Sequence, residues 1–501
     1  METDRIYFKD LQCWQEAMNR GEKTEANESY FDLLELPGEK MREEMRNYIL
    51  ERGRTVSCIT VRHDNTYYRK IVAFLAQTQF KKQKSFLDFP IEKWLVFLKK
   101  WMIQNGKSIT YEKRSVYGTP SVIDAPLIRY LRNILEFIQP EDVREETEKD
   151  IWHLKALDIE LQGSPTYNVE TINFSKISQP DIREETKKII YFNLKHEAVG
   201  TVQGEMRAIR KFSDYLKKAY PNVESCQEIT RDILEGFLIS LSTAETAHNG
   251  NPNMVLSLRR VLEGVGKIYQ YETLEHLFLN TDIPPEVQPE FKVYSDAEFK
   301  RLNAHITKMD EQIARCMVIH QMLGTRISDT LTLRTDCLYK ENNQDMIRIK
   351  QVKTSDFCKP ISEELAELIR QAILYDKKFK NDSEYIFVNE ENPKRPMQYT
   401  TIKHKVLGMI LKEDLRDDQG NLFKFRSHFF RHYYGVKLTE MHLDDWTIAR
   451  LLGHKKLSSV QHYRKMSNQT MADETREVRK MMTKIIYANL EGWGEEYEQI
   501  R

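Results

Sequence analysis

The sequence predicts a mainly α-helical protein with a small antiparallel sheet. Apolar residues recur at helical spacing over most of the chain. Strand-type alternation is confined to two short runs, Met346 to Lys350 and Tyr385 to Val388. Breaks rich in Gly, Ser and Pro cut the helical stretches into blocks, and 501 residues suit about three domains.

Residues 1–150 read as an N-terminal helical region, an extra DNA-binding or docking module by expectation. Glu39 to Glu51 is a charged helical run. Tyr68, Ile71, Val72 and Leu75 then mark one helix. Trp94, Leu95, Phe97, Leu98 and Trp101 mark the next, and Leu127, Tyr130, Leu131, Ile134 and Leu135 a third. Residues 151–180 contain Gly163-Ser164-Pro165 and few helix formers, and read as an interdomain linker. Residues 181–285 form a second helical module. Its stripes are Met206, Ile209, Phe212 and Leu216, then Ile233, Phe237, Leu238 and Leu241, then Val255, Leu258, Val261, Leu262, Val265 and Ile268. The two blocks share an order of elements, including a helix ending in Phe-Leu, which suggests related modules by pattern and not by letters. Thr281 to Pro285 is a second break, and 286–501 form a last domain. Ser295 and Glu298 have the spacing of a helix capping box there, and Ser362 to Leu374 is helical.

Lys and Arg total 76, as do Asp and Glu, so the net charge is zero. The local field is what a polyanion meets, and charge here is segregated. Between Phe423 and Met466 nine Lys/Arg face three acids, and five of the 13 histidines lie in the same segment. The six cysteines are widely spaced, which suits a reduced interior and no zinc or dithiol motif. No apolar run approaches the ~20 residues that span a bilayer, and the first residues have no secretory pattern. Membrane, collagenous and disulfide-framework classes are excluded, and a cytoplasmic protein is expected.

Four clusters hold reactive or cationic side chains in apolar surroundings. Gly324-Thr325-Arg326-Ile327-Ser328-Asp329 follows an apolar helix, and Arg326 and Asp329 are spaced to pair on the next one. Lys353 lies between two strand-like segments, with Lys350 and Lys359 as rivals in the same stretch. His428, Arg431 and His432 share a helix face. The pair at i and i+4 has the spacing of a zinc-protease helix, but Phe429 stands where that motif needs Glu. Last comes Leu451-Leu-Gly-His454, with Tyr463 nine residues after the histidine. Taken singly, each has an ordinary explanation: a solvated Arg, a solubilising hairpin Lys, a packed Tyr.

Their joint order is more specific. Arg326, Lys353, His428-x-x-Arg431, Leu-Leu-Gly-His454 and Tyr463 together resemble the tyrosine recombinase (phage integrase) family. The resemblance covers Tyr294 to Asn468 by motif, and the preceding module from 181 to 280 by pattern. It implies a tyrosine-recombinase-like α+β catalytic domain. In it Tyr463 is the nucleophile, Arg326, Arg431 and His454 stabilise charge on the scissile phosphate, and Lys353 protonates the leaving group. His428 accepts the phenol proton or holds Arg431. The family pattern more often has Glu where this chain has Asp329, and its hairpin is richer in glycine. The resemblance further implies duplex DNA as substrate, a homo-tetramer on paired sites with accessory proteins, and no metal or other cofactor. The length suggests the transposase-type members of mobile elements. In the tail, Val478, Met481, Met482, Ile485 and Ile486 form an apolar stripe that docks on a neighbouring subunit in the family, or on its own domain. A type IB topoisomerase shares the residue set, and a non-catalytic DNA-binding relative is the other alternative.

Overall fold

The computed structural model describes residues 4–19, 28–166, 169–243, 252–285, 292–352, 355–378, 383–389, 392–464 and 476–489. The chain divides into two compact units, residues 1–143 and 144–501.

In the first unit, β1 (Arg5–Tyr7) pairs antiparallel with β2 (Tyr30–Asp32), and α1 (Gln12–Asn19) lies between them in sequence. Helices α2 (Glu39–Thr55), α3 (Cys58–Leu75) and α4 (Ile91–Gln104) follow. A ribbon of β3 (Thr110–Arg114) and β4 (Pro120–Asp124) then leads to α5 (Pro126–Phe137). On α4 the predicted stripe is buried at Trp94, Leu98 and Trp101, one helical face at i, i+4 and i+7. The Trp94 indole N–H donates to the Phe86 carbonyl at 2.6 Å, so the ring is buried with its one donor satisfied. The ribbon was not legible as sheet, because its residues are nearly all exposed and lack apolar alternation.

The second unit opens with another two-stranded sheet, β5 (Ile151–His153) against β6 (Thr171–Asn173). Helices α6 (Pro180–Leu194), α7 (Val199–Ala219), α8 (Arg231–Thr243), α9 (Pro252–Tyr269) and α10 (Glu272–Glu275) follow, with α9 packed on α6 and α7. The stretch expected to be a linker, 151–180, differs. Trp152, Leu154, Phe174 and Ile177 are buried in the same core as α6 to α9. Three-residue strands leave too little alternation to be read locally, and pairing partners nearly twenty residues apart complete the sheet.

The rest of the unit holds α11 (Asp296–Ile306), α12 (Glu311–Leu323) and α13 (Ile327–Leu331). A three-stranded antiparallel sheet follows, β7 (Leu338–Glu341), β8 (Gln344–Ile349) and β9 (Phe357–Pro360), with β8 central. Then come α14 (Glu363–Lys378), α15 (Tyr399–Lys412), α16 (Ser427–Glu440), α17 (Asp445–Leu452), α18 (Ser458–Arg464) and α19 (Arg476–Asn489). The predicted capping box is present: Ser295 Oγ accepts from Glu298 N and Glu298 accepts from Ser295 N. The predicted strand at Tyr385–Val388 is reduced to isolated bridges, Tyr385 with Arg334 and Val388 with Pro396. Its apolar residues Ile386, Phe387 and Val388 are buried without a ladder. Among the described residues no helix is long and apolar enough to cross a membrane.

Candidate active site

Two helix ends converge on one guanidinium. Arg431, on α16, is 1% exposed and carries the largest buried cationic side chain. Its Nη1 donates to the Gly324 carbonyl at 3.1 Å, just past α12, and its Nη2 to the Leu452 carbonyl at 2.8 Å, at the end of α17. Carbonyls at helix C-termini lack intrahelical partners and carry partial negative charge, so they suit a buried cation. Both helices end at a glycine in the left-handed region, Gly324 at φ +61° and Gly453 at φ +65°. At Gly324 an added Cβ would also overlap the Tyr434 ring.

The same Nη2 lies 3.0 Å from His454 Nε2, and Tyr463 Oη lies 3.3 Å from that nitrogen. Arginine can only donate, so His454 Nε2 is unprotonated and its proton sits on Nδ1. The phenol therefore faces a lone pair. Tyr463 is on α18 and 3% exposed, its ring laid flat against α16 where Gly435 has no side chain. A Cβ at Gly435 would come within 2.9 Å of the ring. Burial raises the Tyr463 pKa, and the charges of Arg431 and Arg326 pull it back.

Arg326 caps α13 and is half-buried, with Nη1 3.7 Å from Asp329 Oδ2. Asp329 is buried, and its Oδ1 accepts from Val352 N at 3.2 Å, beside the expected lysine. Lys353 itself lies outside the described residues. Its rival Lys359 is 3% exposed, donates Nζ to the Leu323 carbonyl and stands over the Tyr434 ring at 5.1 Å. Burial, then the Arg431 charge, pulls its pKa down to about 7.

His428 packs against His432 with ring centroids 4.4 Å apart. Burial and then the His432, Arg431 and Arg326 charges bring His428 down to about 4. Burial and then the two arginines bring His454 to about 3. Both rings are neutral at pH 7. The site thus gathers Arg326, Arg431, His428, His454 and Tyr463, a cationic cluster with one buried carboxylate. A ligand with negative charge relieves it.

One set of residues was missed in the sequence. His320 sits on α12, fully buried, within a run read as purely apolar. Its Nε2 lies 3.1 Å from the Ser427 carbonyl and so is the protonated nitrogen. Its Nδ1 therefore accepts from Thr330 Oγ1 at 2.9 Å. Thr325 donates in turn to Thr330 at 2.7 Å. This chain ties the Arg326 segment to the first residue of α16, the helix of His428 and Arg431.

Burial, with a smaller part from the Arg431 charge, holds His320 at about 4, below its ordinary 6.5. Between these values the unfolded chain binds the proton and the folded chain does not. Stability therefore falls as pH drops from about 6.5 towards about 4, by about 1.4 kcal/mol per pH unit from this group. In a His320→Met variant, urea melts across that range lose this part of the pH dependence. An unchanged slope would show that His320 is not the buried titrating group.

Residues 292–470 match the family model described as the phage integrase family. Transposase B of transposon Tn554 from Staphylococcus aureus (strain Mu50) is 24% identical over 431 residues, 82% of this chain and 66% of that protein. The chain thus spans a little under two thirds of the length of that relative. Tyrosine recombinase XerD of Pasteurella multocida (strain Pm70) is 25% identical over 41% of this chain and 70% of its own. Solved structures with likeness include a Tn1549 transposon integrase in complex with a circular intermediate DNA. It shows 14% identity and a TM-score of 0.44, over 60% of this chain and 98% of that one. The buried arginine, histidine and tyrosine set thus lies inside the region, residues 292–470, that matches the phage integrase family model.

Proposed function

We propose that this chain is a site-specific DNA recombinase of the kind borne by transposons, cutting and rejoining duplex DNA through a 3′-phosphotyrosyl intermediate. The observation that carries the reading is the contact of Arg431 and the Tyr463 hydroxyl with one unprotonated nitrogen of His454. A phenol, an acceptor for its proton and a permanent cation meet at one point there.

The chemistry follows from these groups. Tyr463 Oη attacks the scissile phosphorus, the new P–O bond forms, and the bond to the 5′ oxygen breaks. One ester replaces another, so no nucleotide energy source is needed. Charge growing on the non-bridging oxygens falls to Arg431 and Arg326, whose guanidinium forks match two oxygens. The phenol proton goes to a neutral imidazole, and the geometry favours His454 over His428. The arriving phosphate raises the pKa of both rings. A lysine protonates the 5′ oxygen. In the second half a 5′-hydroxyl of the partner strand attacks the phosphotyrosine and the steps reverse.

On this reading the protein works in the cytoplasm as a homo-tetramer on paired sites. The exposed Val478, Met481 and Met482 of α19 supply apolar surface for a neighbouring subunit. The test uses a nicked duplex carrying a terminal sequence of the element. Diffusion of the short fragment past the nick traps the covalent adduct, seen as a shifted band on a denaturing gel. A chain that binds the site and never yields the band is not acting as a recombinase there.

The identity of the acid has its own test. A 5′-bridging sulfur leaves as a thiolate, with a pKa near 8.5, and needs no proton. Of Lys350→Ala, Lys353→Ala and Lys359→Ala, the one that removes the general acid loses about 10²–10⁴-fold on oxygen and recovers on sulfur. Lys353→Ala is expected to show that rescue. Lys359→Ala is expected to be slow on both substrates, because Lys359 secures the end of α12 beside Arg326. Rescue of Lys359→Ala by sulfur would reverse the two assignments.

A further inference from the structure

Helix α16 carries two stripes of contacts, and one residue falls between them. At about 3.6 residues per turn, His428, Arg431 and Gly435 share the face that holds the cationic cluster and the Tyr463 ring. Arg426, just ahead of the helix, then Phe429, Tyr433 and Lys437 lie along a neighbouring face. A strap runs over that second face. It is residues 292–296, which lead from the helical module into α11.

The strap is held by side chains along its length. Tyr294 is 5% exposed, and its hydroxyl accepts from Arg426 N at 3.0 Å while its ring meets Phe429 edge-on at 5.3 Å. Asp296 accepts from the Tyr433 hydroxyl at 2.8 Å and from Lys437 Nζ at 3.2 Å. Tyr433 is fixed in turn by stacking on Phe299 of α11, with centroids 4.2 Å apart.

His432 joins the strap to the site. Its Nδ1 lies 2.9 Å from the Lys292 carbonyl. A carbonyl only accepts, so Nδ1 carries the proton, and the strap sets both the tautomer and the orientation of the ring. The same ring meets the Tyr463 ring edge-on, with centroids 6.1 Å apart, and the His428 ring at 4.4 Å. Tyr463 therefore lies in a slot whose floor is α16 at Gly435 and one of whose walls is His432. The pose of the ring decides where its hydroxyl sits relative to His454, now 3.3 Å away.

We propose that His432 is a positioning residue that couples the strap to the nucleophile, so that the aim of Tyr463 follows how the helical module is joined to the catalytic region. A displaced strap turns the imidazole and moves the wall, and the phenol loses its line to the phosphate while Arg431 stays bonded to its two carbonyls. Small misplacements of a reacting atom are enough to slow chemistry strongly. The inference deepens the recombinase reading and rests on it in taking Tyr463 as the nucleophile.

The test is a double-mutant cycle on the full chain, read as single-turnover adduct on the nicked duplex. His432→Phe keeps an aromatic wall and removes the tie to Lys292. It is expected to slow adduct formation about tenfold. Duplex affinity and melting temperature stay at the wild-type level. Asp296→Ala loosens the strap far from the phosphate. It is expected to slow the wild-type chain about threefold and the His432→Phe chain no further, because the coupling is already cut. A fluorotyrosine built in at position 463 reports the pose without any cleavage. Its fluorine resonance is expected to shift with Asp296→Ala in the wild-type chain and to stay in place beside His432→Phe. A wild-type rate in His432→Phe would overturn the coupling. Losses that add in full would also overturn it, and leave His432 acting directly on the phenol proton. A wild-type chain that binds the duplex and gives no adduct sinks the recombinase reading, and the fluorine shifts then decide this inference alone.

Discussion

Tyr463→Phe is expected to reduce covalent adduct on a nicked duplex by at least about 10⁴-fold while leaving the site still bound. The substitution removes one oxygen and keeps the ring that fills the space over Gly435. The lost contact to His454 is long, at 3.3 Å, so the stability change is at most about 1 kcal/mol. Tyr434, the next tyrosine along α16, has its ring against Gly324 and Lys359. The measurement is adduct on a denaturing gel together with affinity for the same duplex. Adduct from the variant near the wild-type level would place the nucleophile elsewhere and overturn the site. Loss of both adduct and binding would show that the phenol was holding the fold.

The site was legible where its chemistry sits in short segments. His428 and Arg431 are three apart on one helix, and Tyr463 follows His454 across one turn, so local spacing carries their relation. The helical modules were legible for a similar reason, since stripes such as Leu258, Val261, Leu262 and Val265 record a buried face directly. Contacts between distant segments left no such record. The sheet of β5 and β6 joins three-residue pieces, and their loop-like composition read as a linker. His320 is linked to Thr330 and Ser427 across three elements, and nothing in its apolar run marks it. The two helical modules share an order of elements that the sequence shows, while parallel contacts such as Glu44 with Ser85 and Glu185 with Ser225 join distant segments and left no local mark.

Arg431→Ala and Arg326→Ala are expected to separate, although both guanidiniums serve the same phosphate. Arg431 is buried and satisfies the Gly324 and Leu452 carbonyls at the ends of α12 and α17. Truncating it leaves two buried acceptors unpaired and a void among three helices, a cost of roughly 3–5 kcal/mol. Those helix ends also place Arg326 and His454, so cleavage falls by more than one lost donor would take, at least about 10³-fold. Arg431→Lys keeps a charge but not the fork. It reaches one carbonyl, recovers part of the stability, and still loses about 10²–10³-fold in cleavage. Arg326 is half-buried at a helix start, paired with Asp329 at 3.7 Å. Its truncation takes a countercharge from the buried Asp329, which keeps its Val352 N–H donor, and costs about 1–2 kcal/mol, less than the Arg431 change, with about 10²–10³-fold in cleavage. Urea melts and single-turnover adduct formation on one duplex measure both quantities. A stable, inactive Arg326→Ala beside an unstable, inactive Arg431→Ala is the expected pattern. Equal stability of the two would mean that Arg431 does not join the helix ends, and that the site is positioned by the His320 chain alone.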